Sequence, residues 1–503
     1  MPTASLPDRP DRESLRRQAR DLQRAVRAGE PAALARAAEH HPRGAPDEPA
    51  TFPLAAAQLV LAREYGFGSW PRLRRYLDVV AEHGWDSAVA TVATTDPAAE
   101  FCRLACLTYT PEDGPDRWAA AGRLLAERPD LSRADIWAAA AAGRPADVRR
   151  LLAADPGLAR TRGGPFRWRP LCYLTYSRVP GQDVLAVARA LLAAGADPDE
   201  GYLFNGQPYP FTALTGVLGR GEQGPVRQPR HPLWRPLARL LLDAGAEPND
   251  GQALYNTMFS PDNDHLELLF EYGLGRPRGG AWQARVGDLV PASADLLRIQ
   301  LRWAVEHDQR ERVRLLAEHG VDIRSPFRGD GPAWAAGDGR TPLELAQLCG
   351  NTEIADHLAA RGAPRPGPDP VSDLIAVAFR ADRSTVDDIC ARHPGVAAKA
   401  RHARPGLMVW AAAQAPDGTV EILAGLGFDV NALGRADAPV EQEWQTALHH
   451  SAGAGNVDLT RRLLALGADP HIRDRRFDAT PVDWARHLGQ PATAALLEPL
   501  TGQ

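Results

Sequence analysis

Lysine is almost absent from this chain. Lys399 is the one lysine among 503 residues, so its basic character comes from arginine. No P-loop lysine is on offer, and a Schiff base could form only at Lys399. Cysteine is scarce as well. Cys102 and Cys106 lie one helical turn apart, while Cys172, Cys349 and Cys390 are scattered. None forms a Cys-x-x-Cys, and an odd count without a secretory signal fits reduced thiols in the cytoplasm. Met1 to Pro10 carries no apolar core of a signal peptide. No run approaches the roughly 20 apolar residues of a membrane span. A net charge of -5 leaves no global field drawing the chain to nucleic acid or anionic lipid. His-Glu-x-x-His and Gly-x-Ser-x-Gly are both missing.

What remains is ordinary in bulk and repetitive in detail. Hydrophobic residues make up 44% and charged residues 24%, as in a soluble folded protein. Abundant alanine, arginine, glycine and proline is what a GC-rich genome writes. One phrase recurs: two leucines, a short stretch, then Gly-Ala-Asp-Pro or a close variant. It reads Leu191 to Pro198, Leu241 to Pro248 and Leu463 to Pro470, with weaker copies at Leu315 to Asp322, Leu358 to Pro364 and Leu423 to Asp429. Self-similarity at this spacing points to stacked units rather than to one catalytic pocket.

The physics of the phrase is that of a helix end. In the copy from Thr446 to Pro470, Thr446 is an N-cap, and Leu448 and Ala452 share one helical face. Gly453 and Gly455 turn the chain. A second helix carries Val457, Leu459, Leu463 and Leu464. Gly467 supplies a left-handed stop and Pro470 forbids further helix. The next cap, Thr480-Pro481, comes 34 positions after Thr446. Thr341-Pro342-Leu343-Glu344 adds a capping box with proline at the first helical position.

These residues resemble the ankyrin repeat, whose period is about 33 residues and whose motif is Thr-Pro-Leu-His-x-Ala. The motif stands here as Thr446-Ala-Leu-His449-His-Ser-Ala452, with one extra residue, as Thr341-Pro342-Leu-Glu-Leu-Ala346 and as Thr480-Pro481-Val-Asp-Trp-Ala485. The resemblance implies an all-α, ankyrin-type helical solenoid of about ten helix pairs. It gives His449 the role of tying the loop backbone and the neighbouring repeat. It also implies a non-catalytic scaffold that binds a protein through its concave face and inter-repeat fingers. No cofactor and no metal are expected.

The predicted organisation is disorder over 1–10, a helical N-terminal region over 11–85, an array over 86–362, a proline-rich linker over 363–371 and a second array over 372–503. Residues 54–77 read as helix, glycine turn, helix, with Ser69 capping the second helix ahead of Pro71. This block resembles the N-terminal region of bacterial, especially actinobacterial, ankyrin-repeat proteins. Arg72, Arg74 and Arg75 on its second helix give an alternative, a DNA-binding regulator that reads DNA with this hairpin. A third reading places a catalytic cleft at the 363–371 joint.

Gly219-x-Gly-x-x-Gly224 matches a dinucleotide fingerprint by letter, but it follows a helical stretch and runs into Pro225. His449 and His450 are adjacent, so they point apart on a helix and cannot chelate together. The inserts carry the candidate partner-binding residues: Phe166, Trp168, Tyr202, Phe204, Tyr209, Phe211, Phe327, Trp334 and Trp444. Aromatic rings among arginines on loops are what interface hot spots use. At least two of the nine are expected to face solvent.

Overall fold

The computed structural model describes residues 11–277, 279–327, 339–364, 367, 369–437 and 441–501. The expected disorder at 1–10 and the ring of Trp334 lie outside them. Among the described residues the chain is mostly helical, 60% helix and 3% strand. It divides into two compact units, Met1–Leu296 and Leu297–Gln503.

The recurring phrase closes its helix the same way in all six copies. Its glycine has a left-handed φ: 90° at Gly195, 102° at Gly245, 77° at Gly320, 80° at Gly362, 82° at Gly427 and 95° at Gly467. The residue after the glycine donates its N–H back to the leucine five positions earlier, as in Ala196 N to Leu191 O at 3.0 Å and Ala468 N to Leu463 O at 3.0 Å. This is the Schellman motif, in which an L side chain at the glycine position would be strained. The same leucines, Leu191 and Leu463, are fully buried.

In the first unit, helices Arg12–Arg27, Pro31–His40, Leu54–Glu64 and Trp70–His83 precede the helix pairs. The leading helices of successive pairs pack in order: Pro97–Ala105, Ile136–Ala141, Pro170–Tyr176, Ala213–Leu218 and Gly251–Met258. The trailing helices Pro145–Ala154, Val184–Ala193 and Trp234–Asp243 do the same.

A small sheet interrupts the all-α pattern. β1 (Gly84–Trp85) pairs in parallel with β2 (Gly201–Phe204), and β2 pairs antiparallel with β3 (Pro210–Thr212). Asn205 and Gly206 both have positive φ, and Gln207 N donates to Phe204 O at 2.9 Å. That is the Asn-Gly turn chemistry of a hairpin. The segment 201–211 is therefore a paired hairpin rather than an irregular finger.

In the second unit one buried core runs from Leu348 through Leu374, Phe379, Trp410 and Leu448 to Leu497. Its members lie on both sides of the 363–371 segment. Asp369 caps the helix Pro370–Ala378, and Pro370 occupies its first position. The Trp410 indole donates to Cys349 O at 2.8 Å, and Arg404 Nη1 to Leu348 O at 2.6 Å.

Candidate functional site

Three of the sequence motifs open helices of the second unit. Thr341, Thr446 and Thr480 each cap a helix and close a capping box, with Pro342 and Pro481 at the first position of theirs. His449 is fully buried. Its Nε2 lies 3.0 Å from Ala479 O, which can only accept, so Nε2 carries the proton. Nδ1 then accepts from Thr446 Oγ1 at 2.8 Å and Thr446 N at 3.2 Å. Burial holds the ring's pKa below its ordinary value, with Ala479 O acting the other way. Both ring nitrogens are engaged, so no lone pair is left for a metal.

Most of the nominated aromatic rings are not at a surface. Phe166, Trp168, Tyr202 and Phe211 are buried in the first unit. They form one ring cluster with Trp85, Tyr173 and Tyr176. Trp168 stacks on Tyr202 at 4.5 Å, Phe166 lies 4.6 Å from Trp168, and Trp85 lies 5.4 Å from Trp168. The reason is the hairpin: β2 and β3 fold the insert back and carry its rings inward against the loop at 163–170. Phe204, at the rim of this cluster, is half-buried. Phe327 is also buried, with the Arg298 guanidinium 4.4 Å over its ring. The expectation of solvent-facing rings therefore shrinks to three half-buried ones, Phe204, Tyr209 and Trp444.

Trp444 is tied to neighbouring loops by backbone hydrogen bonds. Gly434 and Gln445 exchange backbone hydrogen bonds at 2.9 and 3.1 Å, and Arg475 N donates to Trp444 O at 2.8 Å. The guanidiniums of Arg435 and Arg476 lie 4.1 and 4.6 Å from the Trp444 ring. Asp474 anchors the following turn. Its carboxylate accepts from Arg476 N at 2.8 Å, Phe477 N at 2.7 Å, Ala479 N at 3.1 Å and the Trp484 indole at 3.0 Å. Burial alone would raise this carboxyl, but those donors hold it below the usual range. At the tip Phe477 is 64% exposed. Sequence reasoning missed it. The available signal was Asp474-Arg-Arg-Phe-Asp478, a short polar turn interrupted by one large ring.

A second concave feature lies wholly in the first unit. It is a pocket of about 250 Å³ lined by Asp199, Tyr209, Glu247, Asp250 and Trp282, with Gly275, Pro277, Gly279 and Gly280. Asp199 and Glu247 follow the glycines of two copies of the phrase, which brings the copies' loops side by side. Glu247 N donates to Asp199 Oδ1 at 2.7 Å, and the Trp282 indole donates to Asp199 O at 2.8 Å. Burial and the nearby Asp197, Asp250 and Glu247 carboxylates outweigh the Glu247 N–H and raise Asp199 to about 6. Asp250 is buried and capped differently. It accepts from the Thr212 and Thr215 hydroxyls and from Ala253 N.

The fingerprint at Gly219–Gly224 follows the helix Ala213–Leu218 and meets a four-residue helix, Gly224–Arg227. It lacks the strand-to-helix context that phosphate binding needs. No described helix is long and apolar enough to cross a membrane. Among the described residues no group of three or more His, Cys, Asp or Glu could hold a metal ion.

Helix pairs closed by a glycine stop, packed leading helix on leading helix, define a helical repeat protein. Within it, residues 443–475 match the family model of the ankyrin repeat. That match contains Trp444, His449 and Asp474, and it ends two residues before Phe477. Ankyrin repeats as a family mediate protein–protein interaction. No curated protein matches the chain.

Proposed function

We propose that this protein is a non-catalytic scaffold, a solenoid of ankyrin-type helix pairs that binds a protein partner through the loops between its repeats. The observation that carries the reading is the finger at 443–480. A carboxylate-anchored turn presents Phe477, and Arg476 of the same turn lies over Trp444 together with Arg435. A ring held by a rigid turn loses little conformational freedom on binding. Arginine and tryptophan are the residue types that dominate interface energies.

Photo-crosslinking from Phe477→p-benzoylphenylalanine in the full chain, in its native cell, tests it. A discrete crosslinked protein is expected, and Phe477→Ala should lose the uncrosslinked partner while keeping its own melting temperature. Failure to crosslink, or equal retention by Phe477→Ala, would sink the reading.

The DNA-reading alternative keeps one favourable observation: Arg72 and Arg74 are exposed on the helix Trp70–His83. Arg75, exposed as well, donates to Ala284 O at 2.8 Å. Leu73, Tyr76 and Leu77 pack inward against Trp282 and Leu203. A gel shift at physiological salt with Arg72, Arg74 and Arg75 changed to alanine decides it. Equal or absent binding ends this alternative.

A further inference from the structure

Among the described residues around the pocket in the first unit, every acidic side chain but two is paired or fully hydrogen-bonded. Asp197 pairs with Arg285 at 3.3 Å, and Glu200 with Arg169 at 2.6 Å. Asp250 is satisfied by two threonine hydroxyls and a backbone N–H. Asp199 and Glu247 have no arginine within ion-pair distance among the described residues. Asp199 uses Oδ1 for Glu247 N, and Glu247 uses Oε1 for Asn249 N at 3.0 Å and Asn249 Nδ2 at 2.6 Å. One oxygen of each carboxylate is left over at the wall of a cavity. Both side chains are half-buried, so these oxygens remain open to whatever enters the cavity.

The cavity around them is built rather than incidental. Asn249 Oδ1 accepts from Gly275 N at 2.8 Å and its Nδ2 donates to Arg276 O at 2.9 Å, which fixes the far wall. Trp282 is pinned through Asp199 O and by edge contact with His83 at 5.0 Å. Pro210, Pro277 and Pro291 supply stiff apolar wall. The volume falls below the roughly 300–1,000 Å³ of a drug-sized site and suits a single side chain.

We propose that this pocket receives a basic side chain, arginine or lysine, presented by the protein partner. The inference rests on the protein-binding reading and names what the partner must carry. The cation would take the free oxygens of Asp199 and Glu247, with its stem along Trp282 and the prolines. A bare divalent ion fits less well, because two carboxylates without a third ligand make a poor cage.

Ligand-detected NMR on the full chain tests it, with acetyl-Gly-Gly-Arg-Gly-Gly-amide against the same peptide carrying citrulline. The arginine peptide should bind about tenfold tighter, the low end for a hydrogen bond to a charged group. Asp199→Asn with Glu247→Gln should erase that preference without lowering the melting temperature. Glu13→Gln with Asp21→Asn removes the same charge from an exposed helix and should keep the preference. Equal binding of the two peptides, no binding of either, a preference that survives the pocket variant, or its loss in the control would overturn the proposal. Phe477-dependent partner capture that persists in the pocket variant would remove this inference and leave the scaffold reading standing.

Discussion

Replacing His449 with alanine should loosen two repeats at once. The imidazole joins the cap of its own helix, Ala447–Gly453, to Ala479 O at the start of the next, Pro481–His487. Its loss leaves Ala479 O and Thr446 N without partners in a buried place. It also breaks a capping box. An orphaned buried group costs about 1–3 kcal/mol and a lost cap about 1 kcal/mol. Part of the Ala479 penalty is recovered by water entering the alanine cavity, so we expect about 3 kcal/mol in all. That is a factor of about 150 in a local opening equilibrium. Hydrogen exchange of the full chain reads it directly: protection should fall by about that factor in both helices, while the first unit stays unchanged. His450→Ala is the control, because its ring makes no bond to the next repeat. Protection within about threefold of wild type in His449→Ala, or equal losses in the two variants, would refute the argument.

Acid should weaken the first unit well above the carboxylate range. Burial, helped by Arg162, pulls His83 down to about 4, and burial with Arg178 pulls His231 down to about 3. Folded-state values below the unfolded 6.5 mean the stability is present above pH 6.5 and is lost as pH falls below it. At pH 5 each ring costs about 2 kcal/mol. Asp199, raised to about 6, works the other way, with a swing of about 1 kcal/mol over the same range. A urea midpoint that does not fall between pH 7.5 and 5 would contradict this sum. Arg178→Ala tests a different buried group. The guanidinium donates to Pro229 O at 3.0 Å, Thr175 O and Ser177 O at 3.1 Å and Gly216 O at 2.7 Å. Stranding those carbonyls should cost about 3 kcal/mol, or roughly 6–12 °C in the melting of this unit. A shift below about 2 °C would show that water replaces the side chain.

The sequence by itself determined where helices stop. Glycine at a left-handed φ, the leucine that accepts the closing hydrogen bond and the threonine caps are local chemistry, so six copies of one phrase announced six helix ends. The hydrogen-bond partners of His449 are close at hand, three residues away and at the next cap. Burial of the insert rings was decided only in three dimensions. Tyr202 and Phe211 look like docking rings in a loop, and the pairing of β2 with β3 and β1 turns them into core. The Asn-Gly turn was the one local hint. Phe477 went unnoticed because its exposure depends on a turn held by Asp474 and Trp484 from different elements. The pocket had no sequence signature at all. Asp199 and Glu247 are 48 positions apart, each an ordinary residue after a glycine stop, and only the stacking of two loops brings their unpaired oxygens to one wall.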